Sequence, residues 1–69
     1  MRLKLVMWEK THGFKANYVA EKIGISPSAW SKIKAGKQNP TPEQIEMFRN
    51  EFGVENALDL FLNQGGKND

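Results

Sequence analysis

The sequence predicts an all-α protein, a compact five-helix bundle folded as one domain. Three observations carry this. Apolar residues recur at helical three- and four-residue spacing, with no strand-like alternation. Glycines fall where apolar stretches run out, and Ser-Pro and Thr-Pro pairs fall where new ones begin. The 69 residues include no cysteine, so packing alone must hold a thin core.

The first helix is expected over residues 2–11. Leu3, Val6 and Met7 share one of its faces, while Leu5 and Trp8 fall on another. His12-Gly13 ends it, with Gly13 as the left-handed C-terminal residue. The second helix is expected from Lys15 to Ile23, burying Val19, Ala20 and Ile23, with Phe14 just before it. Gly24-Ile25 turns the chain. Ser26-Pro27 opens the third helix, because the serine can cap free N–H groups and proline at the first helical position loses no bond. Trp30 and Ile33 face inward, and Ala35-Gly36 closes this helix. After the loop Lys37-Gln38-Asn39-Pro40, Thr41 and Gln44 have capping-box spacing for a fourth helix. Ile45, Phe48 and Phe52 form its stripe, and Gly53 stops it. A fifth helix is expected from Asn56 to Asn63, ahead of a polar, frayed tail over Gln64–Asp69.

Charge divides the chain. Residues 1–38 carry Arg2, Lys4, Lys10, Lys15, Lys22, Lys32, Lys34 and Lys37 against Glu9 and Glu21 alone. Residues 39–69 carry Arg49 and Lys67 against Glu43, Glu46, Glu51, Glu55, Asp59 and Asp69. A basic front half suits a polyanion. A lone histidine, His12, cannot build a metal site, and no cofactor is expected. No phosphate loop, nucleophile–base pair or carboxylate dyad appears, so an enzyme is not expected either. No apolar run reaches membrane-spanning length, and the lack of cysteine fits a cytoplasmic setting.

Ala16–Lys37 carries the most information. Two short amphipathic helices joined at a tight corner make a helix-turn-helix, which can set its second helix into the major groove of DNA. The geometry asks for a small residue where the helices nearly touch, and Ala20 supplies it. It asks for a positive φ at the corner, and Gly24 supplies that. It asks for apolar residues that lock the pair to the core, here Val19, Ile23, Ile25, Trp30 and Ile33. Each match is weak by itself; the full set at fixed spacing is specific.

With these residues in place, the chain resembles the lambda-repressor/Cro family of helix-turn-helix domains from Arg2 to Leu62. The matching pieces are R-L-K at the start, A-E-K-I-G-I-S across the corner, S-K-I-K-A-G-K after it, N-P-T-P-E-Q-I and F-G-V-E-N-A-L-D-L-F. The resemblance implies a five-helix bundle that binds operator DNA, often as a homodimer. Small single-domain members resemble Cro-type regulators of phage and bacterial switches. Two positions depart from the family pattern. Lys15-Ala16 stands where relatives carry Ser or Thr followed by Gln, and Pro27 stands where many carry Gln or Arg.

The outward face of the third helix is expected to read bases through Pro27, Ser28, Ser31 and Lys32. Phosphate contacts are expected from Lys15, Lys34, Lys37, Gln38 and Asn39. Trp30 is assigned to the core rather than to base stacking. Leu5 and Trp8 either lie beneath the fifth helix or belong to a protein interface with Leu58, Leu60, Phe61 and Leu62. A symmetric dimer would place two recognition helices about 34 Å apart on double-stranded DNA. The alternative reading is a protein-binding modulator of a companion repressor, or an antitoxin, that acts on DNA mainly within a hetero-complex.

Overall fold

The serine, threonine and glycine signals at the expected helix ends leave marks in the backbone. In the computed structural model, which describes residues 1–62, the helices are α1 (Leu3–His12), α2 (Ala16–Lys22), α3 (Pro27–Ala35), α4 (Pro42–Phe52) and α5 (Ala57–Leu60). No strand occurs among the described residues. The chain is all-α, with the five-helix order that the sequence predicts. The expected tail over Gln64–Asp69 lies outside the described residues.

The Ser26 hydroxyl accepts from the Ala29 amide at 3.1 Å, with Pro27 opening α3. Thr41 and Gln44 form a reciprocal capping box, with bonds of 3.1 and 3.0 Å. The corner after α2 is a Schellman closure. The Gly24 amide donates to the Glu21 carbonyl at 3.2 Å, and the Ile25 amide donates to the Ala20 carbonyl at 3.0 Å.

Gly24 has φ +76°, and a Cβ built there would meet no atom within 4 Å. Its cost to any other residue is therefore conformational and not steric. Gly24→Ala is expected to destabilise by about 1–2 kcal/mol. The check is a urea melt, with Gly24→Asn falling between the two because asparagine tolerates this region. A loss above about 4 kcal/mol would mean that the corner is crowded.

The core sits where α1, α4 and α5 converge on the α2–α3 pair. Trp30, Phe48, Leu5, Ile23, Ile33 and Val19 are its largest fully buried side chains, and Ala20 is closed off between α2 and α3. At one end the Trp8 ring lies 4.7 Å from Phe48, 5.1 Å from Phe52 and 5.5 Å from Phe14, centroid to centroid.

Two expectations need correction. The Leu3–Val6–Met7 face of α1 is not the core face, since Leu3 is 50 % and Met7 55 % exposed. The buried stripe is Arg2, Leu5 and Glu9, with Trp8 half-buried beside it. Hydrophobic spacing misassigns this helix because two charged residues lie on its inner face and find partners there. The fifth helix is a single turn, not a helix from Asn56 to Asn63. The Phe61 amide bonds back to both Ala57 and Leu58, and the Phe61 carbonyl accepts from Arg2 Nε at 2.6 Å; Asn63 lies outside the described residues.

Candidate nucleic-acid interface

The interface is built from one helix pair. α2 and α3 share the most extensive helix contact among the described residues, with Val19, Ala20, Ile23, Trp30 and Ile33 buried in the core they help to form. Burying Trp30 and Ile33 on one side of α3 forces the other side outward. Pro27, Ser28, Ser31 and Lys32 are all exposed there. Among the described residues, the Ser28, Ser31 and Lys32 side chains have no hydrogen-bond or ion-pair partner. Their donors and acceptors stay available for a ligand.

The five expected phosphate contacts separate into two groups. Lys15 is exposed at the start of α2, in extended conformation, and its side chain caps nothing. Lys37 is exposed just past α3, with its amide held by the Lys32 carbonyl at 2.9 Å. The other three engage the fold, Lys34 through its ammonium and Gln38 and Asn39 through oxygens alone, with Asn39 still exposed. Lys34 Nζ lies 2.6 Å from Glu9 Oε1 and 5.8 Å from the Trp30 ring centroid, and its side chain is only 18 % exposed. The Gln38 carbonyl accepts from Arg2 Nη1 at 3.0 Å, and Asn39 Oδ1 accepts from Arg2 Nη2 at 2.7 Å. Lys34 is thus a structural cation, because a carboxylate inside the fold holds its charge.

Arg2 and Glu9 are the residues that sequence reasoning missed. In the sequence each enters only as one charge in the balance of residues 1–38, and both are buried. Glu9 uses both carboxylate oxygens. Oε2 accepts from Trp30 Nε1 at 2.7 Å while Oε1 pairs with Lys34. This bridge fixes α1 against the inner side of α3, and with it the facing of the outer side. Desolvation lowers the Arg2 pKa from the ordinary arginine value. One signal was present in the sequence: Arg2, Leu5 and Glu9 share a helical stripe, which two charges rarely flank unless they are satisfied.

The expected protein interface also changes. Leu5 and Phe61 are buried, and Leu60 and Trp8 pack against the core, so these four do not form an open patch. The rings over Trp8 come from α4 and the α1–α2 loop, not from α5. Leu58 and Leu62 remain exposed at 68 % and 56 %. His12, the last residue of α1, stacks on Phe14 with ring centroids 5.4 Å apart. No group of three or more metal-ligating side chains occurs among the described residues. No helix among them is long and apolar enough to cross a membrane.

A helix with open serines and a lysine, flanked at its base by exposed lysines and braced from behind by a second helix, is suited to a grooved polyanion. A helix-turn-helix family model matches residues 10–55, from the end of α1 through α4. No curated protein and no solved structure matches the chain.

Proposed function

This chain belongs to the lambda-repressor/Cro-like helix-turn-helix family, a family of DNA-binding regulators, and from that premise we propose that it is a Cro-type repressor of a phage or bacterial switch. In this reading α3 enters the major groove of operator DNA. Lys32 donates to guanine O6 and N7, Ser28 and Ser31 bond to base edges, and Pro27 packs on a thymine methyl. Lys15 and Lys37 neutralise phosphates on either side of the groove. The observation that carries the reading is the unpartnered outer face of α3, set against a fully locked inner face.

So few base contacts discriminate weakly, so the active species on DNA is a pair of copies on two half-sites. Leu58 and Leu62 are the exposed apolar residues that we assign to contact between the copies. A second reading draws on the same exposure together with Leu3 and Met7. There the chain docks on a companion repressor and reaches DNA within the hetero-complex.

A titration against duplex DNA flanking the coding region tests the proposal, with and without any neighbouring repressor. The wild-type affinity is expected to fall with salt at a log–log slope of about −0.9 per neutralised phosphate. Lys32→Ala is expected to weaken specific binding about 10-fold, through loss of base discrimination. Lys15→Ala is expected to weaken all sequences alike and to reduce the slope by about 1. If Lys32→Ala binds operator as wild type does, α3 does not read bases through this residue. Binding that appears only with the companion protein favours the second reading.

A further inference from the structure

Arg2 is 4 % exposed, yet among the described residues its guanidinium meets no carboxylate. It makes hydrogen bonds to four neutral acceptors instead. Nε donates to the Phe61 carbonyl at 2.6 Å, and Nη1 donates to the Ile33 carbonyl at 2.7 Å and the Gln38 carbonyl at 3.0 Å. Nη2 donates to Asn39 Oδ1 at 2.7 Å. The Arg2 backbone amide adds a bond to the Lys34 carbonyl at 2.9 Å. The Ile33, Lys34 and Phe61 carbonyls lie at the C-terminal ends of α3 and α5, where partial negative charge collects, so a cation is favoured there.

This arrangement joins three parts of the chain: the last turn of α3, the loop 37–40 and the end of α5. The loop has little else to hold it. The Lys37 and Gln38 amides reach back to Lys32, and Asn39 has Arg2 as its one partner among the described residues. Lys37 is one of the expected phosphate contacts that face solvent, and its ammonium has no partner among the described residues.

We propose that Arg2 is a positioning residue for DNA binding: it never touches DNA, but its guanidinium fork sets the loop after α3 and so holds Lys37 at the phosphate backbone. The inference rests on the DNA-binding reading above for its consequence, though not for its geometry. A planar fork with five donors can span acceptors on three segments. A lysine at the same place offers a compact ammonium that cannot.

The test compares Arg2→Lys and Asn39→Ala with wild type, at a temperature where circular dichroism shows all three helical. Amide hydrogen exchange in the free protein is read first. Exchange at Lys37 and Gln38, whose amides bond to the Lys32 carbonyl, is expected to speed up at least about 10-fold in Arg2→Lys, well beyond any change in α2 and α4. Asn39→Ala, which leaves the helix-end carbonyls paired with Arg2, is expected to loosen the same loop with less loss of stability. Duplex binding is read second. Arg2→Lys is expected to lose about 10-fold in affinity and about 1 from the salt slope, matching Lys37→Ala. A uniform rise in exchange with an unchanged salt slope would mean that Arg2 only stabilises the fold, and would overturn the proposal. Wild-type loop exchange and wild-type DNA binding in Arg2→Lys would overturn it as well. If wild-type protein binds no duplex, the DNA reading fails, and the exchange measurement alone decides whether Arg2 orders the loop.

Discussion

Trp30→Ala is expected to leave most of the chain unfolded at 25 °C. The side chain is fully buried, and its ring lies 6.2 Å from Phe48 and 6.4 Å from Phe61, centroid to centroid. Truncating a buried aromatic of this size costs about 3–5 kcal/mol. A domain this small has a total stability of only about 5 kcal/mol. The indole also donates to Glu9, so the truncation strips a buried carboxylate of one partner. Trp30→Phe separates these effects, since it keeps most of the ring and loses only the donor. It is expected to cost about 2 kcal/mol and to stay folded. Urea melts followed by far-ultraviolet circular dichroism read both variants. If Trp30→Ala melts like wild type, the α1–α3–α4 core is not assembled as described.

Glu9→Ala is expected to be the most damaging single change at a charged residue, at about 3 kcal/mol. The Glu9 and Lys34 side chains are 9 % and 18 % exposed, so removing the carboxylate leaves both the Lys34 ammonium and the Trp30 N–H without their partner in a poorly solvated place. The attraction itself is a poor measure of that cost, because desolvation offsets much of it. The double variant Glu9→Leu with Lys34→Met removes both charges and keeps apolar volume. It is expected to recover at least half of the single-variant loss. The exposed pair Lys4–Asp59, 3.0 Å apart with side chains 46 % and 43 % exposed, sets the contrast. Breaking it is expected to change stability by under about 1 kcal/mol. Equal effects at the two pairs would show that Glu9 is solvated.

These two residues also mark how far the sequence could be read. The helix-turn-helix was legible because each of its constraints is local. The capping serine, the proline after it, Ala20, Gly24 and the apolar set all act within a few residues of where they stand. The outer face of α3 followed from that, since an inward Trp30 and Ile33 leave one side for Ser28, Ser31 and Lys32. The inner side of α1 was not legible in the same way. Arg2 is satisfied by carbonyls from residues 33, 38 and 61, and Glu9 by residues 30 and 34, and no periodicity carries that pairing. The same long-range pairing sets the loop after α3, where the Gln38 carbonyl and Asn39 Oδ1 accept from Arg2, and the burial of Leu5 and Phe61 follows from where the chain ends meet rather than from local spacing.

Amide chemical-shift mapping during a titration with operator duplex reads, residue by residue, whether the outer side of α3 meets DNA. The largest shifts are expected on residues 27–32, with Lys15 and Lys37 next, while the exposed face of α4 stays unmoved and the C-terminal end moves only at Leu58 and Leu62, the contact between copies. Shifts gathered on α4 or along Leu3 and Met7, with residues 27–32 silent at saturation, would contradict a DNA-facing α3.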